Sequence, residues 1–323
     1  MTRCLLRLAT RGSDLALFQA ELVSRRLRGI APELEVELVV VETAGDRRSE
    51  VPIASFTSHG VFVAEVEQAV LDGRADVAVH SAKDLPSGEP PAGLLLASIP
   101  DREDPRDALV GRPLDSLAPG AVVASGAPRR RAQLARLRPD LAFVQLRGNI
   151  ATRLDRVPDG GAAVVALAAL RRLGLESRAA EVLSVSAMLP QVGQGALALR
   201  CRADDATVAE LLARIDRPGA HRCVLAERAF LARLGGGCDA PVAAHATPLE
   251  GDGSSGEIAL DGLVASEDGR VVLRRSSTGR DPTRLGTALA EVVLGLDGAS
   301  EIAALRQAGT TGGIGAASPV ETR

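Results

Sequence analysis

The chain begins with two segments whose apolar residues follow different periods. Residues 5–10 (LLRLAT) form a short, mostly apolar run that is typical of a strand. Residues 13–29 instead repeat apolar side chains near helical spacing, at Leu15, Phe18, Leu22 and Leu27. Ser13 or Asp14 can cap the start of this helix, and Gly29 can end it. Together the two segments predict a strand-to-helix unit.

The same alternation continues downstream. Residues 35–43 and 75–80 are typical of strands, and residues 60–73 between them are typical of a helix. After a charged, proline-containing interruption at 98–107, strand-like and helix-like segments alternate again from 121 to 170. This alternation predicts an α/β fold with mostly parallel sheets and helices on their faces.

Two interruptions divide the pattern into units. The segments 98–107 and 189–202 are interpreted as crossovers between two α/β lobes, an arrangement that resembles solute-binding proteins. Residues 219–308 differ, because one helix precedes apparent antiparallel strands and a final helix, which predicts a small α+β domain. The polar, glycine-rich end is expected to be disordered. The predicted units are 1–99 with 195–217, 104–191, 219–308 and the tail 309–323.

Composition narrows the classes of function. The chain has no Trp or Tyr and five Phe, which disfavours the base stacking that holds single-stranded nucleic acid. A net charge of −3 disfavours non-specific binding to nucleic acid or acidic membranes. No apolar run approaches the length of a signal peptide core or a spanning helix. We therefore expect a cytoplasmic, monomeric protein with a small-molecule substrate.

Familiar nucleotide and metal motifs are absent from the sequence. It contains no G-x-G-x-x-G after a strand, no G-x-x-x-x-G-K-[ST] and no H-E-x-x-H. Its cysteines, Cys4, Cys201, Cys223 and Cys238, show no C-x-x-C spacing, and no metal site is predicted. We expect the first three to be reduced and mostly buried.

Three predicted strand-to-helix junctions carry arginine. Ligands of open α/β sheets bind beyond the carboxyl ends of the strands, where helix N-termini present free N–H groups. Arginine adds a bidentate fork for a carboxylate or phosphate. The junction residues are Arg11, Arg129, Arg130, Arg131, Arg147 and Arg153. One such arginine is often an ordinary solvated charge, whereas three junctions together predict a cleft for a ligand with several anionic groups.

The segment 79–86 (VHSAKDLP) contains the only lysine of the chain, at a predicted strand end. Lysine is a compact ammonium and arginine a planar fork, so a crowded pocket can accept the first and exclude the second. We expect Lys83 and Asp84 to face the cleft. Nearby cations would keep the Asp84 carboxylate ionised, which suits contact with N–H donors and proton transfer. The alternative is an ordinary Lys–Asp pair at a surface turn.

A glycine run precedes the last cysteine in the segment 233–241 (RLGGGCDAP). Gly235, Gly236 and Gly237 free the backbone and place the Cys238 thiol on a loop. A thiol presented in this way is suited to covalent attachment of another group. The alternative is a glycine-rich end of a helix with an incidental cysteine.

Seven blocks of the sequence, in order and spacing, resemble the porphobilinogen deaminase family, also called hydroxymethylbilane synthases. The resemblance covers residues 3–308. The blocks are LRLATRGSDLALFQA, RADVAVHSAKDLP, REDPRDALV, LRGNIATRL, LRRLGLESR, VGQGALALRCR and LGGGCDAPV. Several are distinctive, and their joint order makes the resemblance specific.

The resemblance implies a transferase of tetrapyrrole (haem) biosynthesis. Such enzymes join four porphobilinogen molecules head to tail into 1-hydroxymethylbilane and release ammonia at each addition. It also implies a dipyrromethane cofactor bonded to Cys238 through a thioether, and Asp84 as the catalytic aspartate. Positions implied to hold the cofactor are Lys83, Ser125, Arg129, Arg130 and Gln194. Positions implied to surround the substrate are Arg11, Ser13, Gln19, Arg147 and Arg153.

Two regions depart from the family pattern. Many relatives have lysines and a glycine pair in a loop where this chain has Ser55, Thr57, Ser58 and His59. Hydroxyl residues and a leucine are frequent where this chain has Gly126, Ala127 and Pro128. Together these departures are compatible with a slower enzyme. The altered loop alone supports an alternative function, a non-catalytic paralogue that binds a tetrapyrrole or polycarboxylate. A solute-binding protein is a further alternative, but it has no use for Cys238 on a glycine-rich loop.

Overall fold

The computed structural model describes residues 5–43, 63–235, 240–249 and 256–299. The strands in these ranges are β1 (Leu5–Arg11), β2 (Glu35–Val41), β3 (Val77–Ser81), β4 (Leu94–Ser98), β5 (Asp107–Gly111), β6 (Val122–Ala124), β7 (Ala142–Val144), β8 (Ala162–Ala166), β9 (Ala179–Val182), β10 (Leu197–Arg202), β11 (Val242–Pro248), β12 (Ile258–Ala265) and β13 (Val272–Gly279). The helices are α1 (Asp14–Ile30), α2 (Ala64–Leu71), α3 (Pro128–Leu137), α4 (Ile150–Asp155), α5 (Leu167–Arg172), α6 (Ala206–Ala213), α7 (Pro218–Arg233) and α8 (Pro282–Leu294).

The first lobe is built on a five-stranded sheet with the order β2-β1-β3-β10-β4. Strands β1, β2 and β3 run parallel, and β10 pairs antiparallel with both β3 and β4. Four strands therefore share one direction and β10 is reversed. Helix α1 packs on this sheet, and its core contains Leu8, Leu27, Val77 and Leu199, none of which is exposed.

The second lobe repeats the arrangement with the order β7-β6-β8-β5-β9. Strand β6 pairs parallel with β7 and β8, and β5 pairs antiparallel with β8 and β9. In each lobe the reversed strand is the first one to follow a crossover from the other lobe. The predicted fold of two α/β lobes is confirmed. Both sheets are mixed, because the reversed strand of each is antiparallel to its two neighbours.

A smaller C-terminal unit follows the lobes. Strands β11, β12 and β13 form an antiparallel sheet, against which helices α7 and α8 pack. Phe230, Leu260 and Leu289 form its core, as expected for a small α+β domain. Within the described ranges, no helix combines the length and apolar character needed to cross a membrane.

A buried carboxylate, Glu227 of α7, links the three units. Its Oε2 accepts a hydrogen bond from the Gly193 backbone N–H (2.7 Å), in the second crossover. Its Oε1 accepts from the Ala246 N–H (2.7 Å) and lies 2.8 Å from Arg102 Nη2, in the first crossover. Burial opposes ionisation of Glu227, but Arg102 and His245 outweigh it and lower the pKa of this carboxyl group. Both crossovers are thus fastened to the C-terminal unit.

Candidate active site

The turn Ala82–Asp84 follows β3 directly and carries the lone lysine. The second crossover lies against its back. The Ala82 N–H donates to the Ala196 carbonyl (2.9 Å). Gly193 has φ +70°, and a Cβ added there would lie 3.0 Å from Ala82 and 3.1 Å from the Lys83 nitrogen. Only glycine allows this close approach without strain, and it fixes where the turn points.

The turn faces charges of the second lobe. The pKa of Lys83 is lowered to about 8, mainly by burial, with Arg130 and Arg153 acting in the same direction and Asp84 and Asp107 opposing them. Arg153 shows the reciprocal influence, since burial and Arg130 lower its pKa to about 10 while Asp84 raises it. The residues that act on each other come from both lobes, so the predicted cleft between the lobes brings them together.

Asp107, the first residue of β5, anchors the arginines of the second lobe. Its Oδ2 accepts from Arg129 Nη1 (2.7 Å), and its Oδ1 accepts from Arg130 Nη2 (2.8 Å) and Gln194 Nε2 (2.9 Å). Asp107 has no exposed surface. Burial opposes its ionisation, but Arg129 and Arg130 outweigh this and hold the pKa of Asp107 far below its usual range.

The anchor leaves part of the Arg129 guanidinium unused. Its Nη1 also donates to the Leu189 carbonyl (2.8 Å), whereas Nε and Nη2 are buried without a hydrogen-bond partner among the described residues. Arg129 borders a small cavity that is also lined by Leu231 and Ala240. These two residues flank the glycine-rich segment that contains Cys238. Unmet guanidinium donors that share a cavity with Leu231 and Ala240 fit the carboxylates of an attached dipyrromethane.

Ser125 and Arg130 surround the start of helix α3. Ser125 is buried, and its Oγ accepts from the Ala127 N–H (3.3 Å). Pro128 is the first residue of the helix, where its missing N–H costs no helical bond. Arg130 Nη1 donates to the Val164 carbonyl (2.9 Å). The helix therefore holds Arg129 and Arg130 in its first turn, at the carboxyl end of β6.

The remaining predicted substrate residues lie at two junctions. Arg11 ends β1, and Ser13 caps α1 by accepting from the Ala16 N–H (3.4 Å). Gln19, in the first turns of α1, donates through Nε2 to Ser81 Oγ (2.9 Å), next to the lysine turn. The hydroxyl of Ser13 therefore caps helix α1, and Ser13 is one of the two capping residues that the sequence predicted.

The third junction carries Arg147 and Arg153. Asn149 caps α4 by accepting from the Thr152 N–H (2.9 Å), and Arg153 Nε donates to the Gly148 carbonyl (2.8 Å). Arg147 contributes to lowering the pKa of Arg153, so the two cations are neighbours. Two like charges held close at one junction favour an anionic ligand.

Two family models match this chain, one over the two lobes and one over the C-terminal unit. Residues 6–210 match the family model described as "Porphobilinogen deaminase, dipyromethane cofactor binding domain", and residues 221–295 match "Porphobilinogen deaminase, C-terminal domain". The chain belongs to the porphobilinogen deaminase family. Among curated relatives, porphobilinogen deaminase of Nitratidesulfovibrio vulgaris is 47% identical over 308 residues, covering 92% of this chain and 95% of the relative. That of Brevibacillus brevis is 42% identical over 303 residues, covering 92% and 96%.

Solved structures of other proteins show a weaker likeness. The VFT2 domain of BvgS from Bordetella pertussis has a TM-score of 0.39 and 16% identity, covering 65% of this chain and 86% of that one. The periplasmic sulfonate-binding protein SsuA from Methylobacillus flagellatus also has a TM-score of 0.39, with 14% identity and coverage of 71% and 68%.

Two cysteines of this family member lie in the described residues, and both are buried, as the sequence predicts for them. Cys201 in β10 and Cys223 in α7 are buried free thiols, and burial raises their pKa values to about 11 and about 12. Such thiols are poor nucleophiles at neutral pH. Cys4, Cys238, the loop 54–60 and the tail 309–323 lie outside the described residues.

Asp107 was not singled out by sequence reasoning. A signal was present, because an acid begins the apolar segment DALV and a buried acid needs a buried partner. The resemblance implies that Gln194 holds the cofactor, but its amide nitrogen is used within the protein, where it donates to Asp107 and to the Pro105 carbonyl (2.6 Å). Its Oε1 has no partner in the described ranges. In the described part of the chain, no group of three His, Cys, Asp or Glu side chains is placed to hold a metal ion.

Proposed function

We propose that this chain is a hydroxymethylbilane synthase. It condenses four porphobilinogen molecules head to tail into 1-hydroxymethylbilane and releases one ammonia per addition. The observation that carries the proposal is the cleft of this family member, in which Lys83 and Asp84 of one lobe share an electrostatic neighbourhood with Arg130 and Arg153 of the other. When bound, the dipyrromethane cofactor supplies a free pyrrole position to which the first substrate is joined.

Arg129, Arg130 and Lys83 hold carboxylates of the bound chain. Two of these side chains are fixed by Asp107, so little conformational entropy is lost when they contact an anion. Lys83 adds a compact charge where the guanidinium of a further arginine would crowd Arg130. Ser125 lies at the start of the same helix and offers its hydroxyl to the same group.

Arg11, Arg147 and Arg153 receive the acetate and propionate of the incoming substrate. Ser13 and Gln19 border this position from α1. Each pyrrole ring brings two carboxylates, so the growing product needs cations along the whole cleft. The spread of arginines over three strand-to-helix junctions meets that need better than one concentrated patch.

Asp84 acts on the reacting centre. As ammonia leaves, positive charge develops on the pyrrole of the substrate. A fixed carboxylate stabilises that charge and can accept a proton from a pyrrole nitrogen or carbon. Asp84 acts on the pKa of both Lys83 and Arg153, so these two cations lie in its electrostatic neighbourhood.

Asp107 and Gln194 act through the arginines and are positioning residues. Gln194 comes from the second crossover and Asp107 follows the first, so their hydrogen bond joins both connections between the lobes. Through Asp107 this contact sets the orientation of Arg129 and Arg130.

We also propose that residues 1–99 with 195–217, 104–191 and 219–308 are separate structural domains, each with its own core. Free buried Cys201 and Cys223 support a cytoplasmic location. A monomer is supported by the scattering of exposed large apolar side chains over the described parts of all three units.

The function is tested by intact mass and by product formation. We expect purified protein to be heavier than its sequence by one dipyrromethane, bonded to Cys238, and to release ammonia from porphobilinogen. Cys238→Ser should lose the added mass, the colour reaction of a free pyrrole and the activity together, while Cys201→Ser retains all three. Added mass without ammonia release would favour the non-catalytic paralogue. A peptide map with the adduct on another cysteine would contradict the attachment site.

A further inference from the structure

A second depression lies outside the cleft, between the second lobe and the C-terminal unit. It has a volume of about 640 Å³, within the range of small-molecule sites, which often lie between domains. One wall is the later part of α3 and the chain that follows it, with Arg131, Arg136, Pro139 and Phe143. The other wall is the turn between β12 and β13, residues 267–270. We call it the outer groove.

The walls of the outer groove are firmly joined. Gly269 has φ +72°, and a Cβ added there would lie 2.3 Å from the Ala132 carbonyl oxygen, so the turn rests directly on α3. Below this contact, Ala132, Leu263 and Leu189 belong to one buried cluster. A ligand in the groove would therefore meet preformed walls, which lowers the entropic cost of binding.

The charges that line the groove are only partly satisfied. Asp268 accepts hydrogen bonds from Ser266 Oγ (2.6 Å) and the Arg270 N–H (3.1 Å), and the Arg270 side chain lies 3.3 Å from it. Arg131, Arg136 and Glu267 make no such contact with any residue that the structure describes, and Arg131 Nε is buried without a partner. Two cations and one anion therefore remain available around an apolar surface that includes Phe143 and Leu141.

This set is complementary to one kind of molecule, a flat apolar ring with two carboxylates and one ammonium group. Porphobilinogen has that composition, since its pyrrole ring carries an acetate, a propionate and the aminomethyl group that leaves as ammonia. We propose that the outer groove is a second binding site for porphobilinogen, separate from the cleft. Arg131 and Arg136 would bind the carboxylates and Glu267 the ammonium. The identity of the ligand, but not the existence of an amino-dicarboxylate site, rests on the proposed function.

Calorimetric titration with porphobilinogen tests the proposal. The protein to use is the cofactor-bearing Asp84→Asn variant, in which we expect substrate to bind and to be consumed much more slowly than in unsubstituted protein. Two classes of site should appear, one in the cleft and one in the groove. Adding Arg136→Gln and Glu267→Gln should weaken one class by at least about tenfold, which is the effect of losing one charge-assisted contact. Adding Glu21→Gln and Arg28→Gln, an exposed pair on α1, is the matched control and should leave both classes intact.

A second experiment distinguishes recognition of the ammonium group of porphobilinogen from general attraction of its carboxylates to the arginines. Glu267→Gln alone should weaken porphobilinogen binding in the groove but leave unchanged the binding of an analogue that lacks the aminomethyl group. Equal effects on both compounds, or two binding classes that survive the paired groove substitution, would overturn the proposal. Failure of the proposed function would look different, because unsubstituted protein would then release no ammonia whatever the groove binds. Thermal unfolding checks that each variant remains folded.

Discussion

The two lobes share one strand order, yet the reversed strand of each carries a buried charge of opposite sign. In the first lobe, Arg200 of β10 pairs with Glu67 of α2, and both are almost fully buried. In the second lobe, Asp107 of β5 pairs with Arg129 and Arg130 of α3. The first arrangement balances its charges one to one. The second leaves a surplus of one positive charge, and among the described residues Arg129 has two buried nitrogens without a hydrogen-bond partner, Nε and Nη2, whereas Arg200 has one, Nε.

This difference shows that one strand order can support two different arrangements of buried charge. Around the Arg200–Glu67 pair, burial together with Arg200 and Arg11 lowers the pKa of His80 to about 3, so this histidine is neutral and adds no charge. The first lobe thus has a neutral interior behind the turn that presents Asp84. The second lobe uses its buried acid to gather cations and direct them at an anionic ligand. The strand order alone would not reveal this division.

The largest expected effect comes from removing each buried acid. Asp107→Asn leaves two buried guanidiniums without their anion, and Glu67→Gln leaves Arg200 in the same condition. Each should cost about 3–5 kcal/mol of unfolding free energy, measured by urea denaturation. Only Asp107→Asn should also reduce cofactor loading, measured by intact mass. Full loading of Asp107→Asn protein would show that the second lobe does not orient its arginines through this carboxylate.

The next effect concerns catalysis by the first lobe. Asp84→Asn retains the shape of the side chain but loses its charge, so kcat should fall by about 10²–10³-fold while fold and cofactor remain. Ammonia release in the steady state is the measurement. Asp115→Asn, at an exposed position of the second lobe, is the control and should retain normal turnover. Near-normal activity in the Asp84 variant would remove this residue from the mechanism.

A smaller effect divides the arginines of the second lobe. Arg129→Leu or Arg130→Leu should impair cofactor assembly, whereas Arg153→Leu should load normally and raise KM. Each charge-assisted contact contributes about 1.5–3 kcal/mol, so a rise in KM of tenfold or more is expected for Arg153→Leu. Mass spectrometry and substrate titration distinguish the outcomes. Complete loading of both variants at Arg129 and Arg130 would refute this division.

The smallest effect is a titration at Lys83. Burial lowers its pKa to about 8, so its charge is present at pH 7 and is lost as pH rises through 8. In the unfolded chain a lysine keeps its proton up to a pKa of about 10.4, so Lys83 makes the fold more stable as pH rises between these values. Lysine labelled with ¹³C at Cε gives a single NMR signal, because the chain has one lysine. A midpoint near 10.4 in cofactor-free protein would contradict a crowded, cationic setting.

Periodicity predicted much of the fold because strong apolar repeats mark the strands and helices of both lobes. Strand β11 was not predicted, because Val242–Pro248 is short and consists mostly of small residues, which give a weak periodic signal. Its strand conformation depends on antiparallel pairing with β12, a contact made only in the folded chain. The arginine junctions and the Lys83–Asp84 turn could be predicted from their places at strand ends. Asp107 could not be assigned a role in this way, because its partners lie 22 to 87 positions away and meet it only in the folded chain.

The shared contacts of Glu227 have a consequence for how the protein melts. Three units with three cores would ordinarily lose structure in separate steps. Here, separation of the C-terminal unit from either crossover deprives the buried Glu227 carboxylate of the Gly193 hydrogen bond or the Arg102 ion pair, which penalises the partly melted forms. Calorimetry should therefore record one endotherm for the intact chain. Glu227→Gln should split it into at least two.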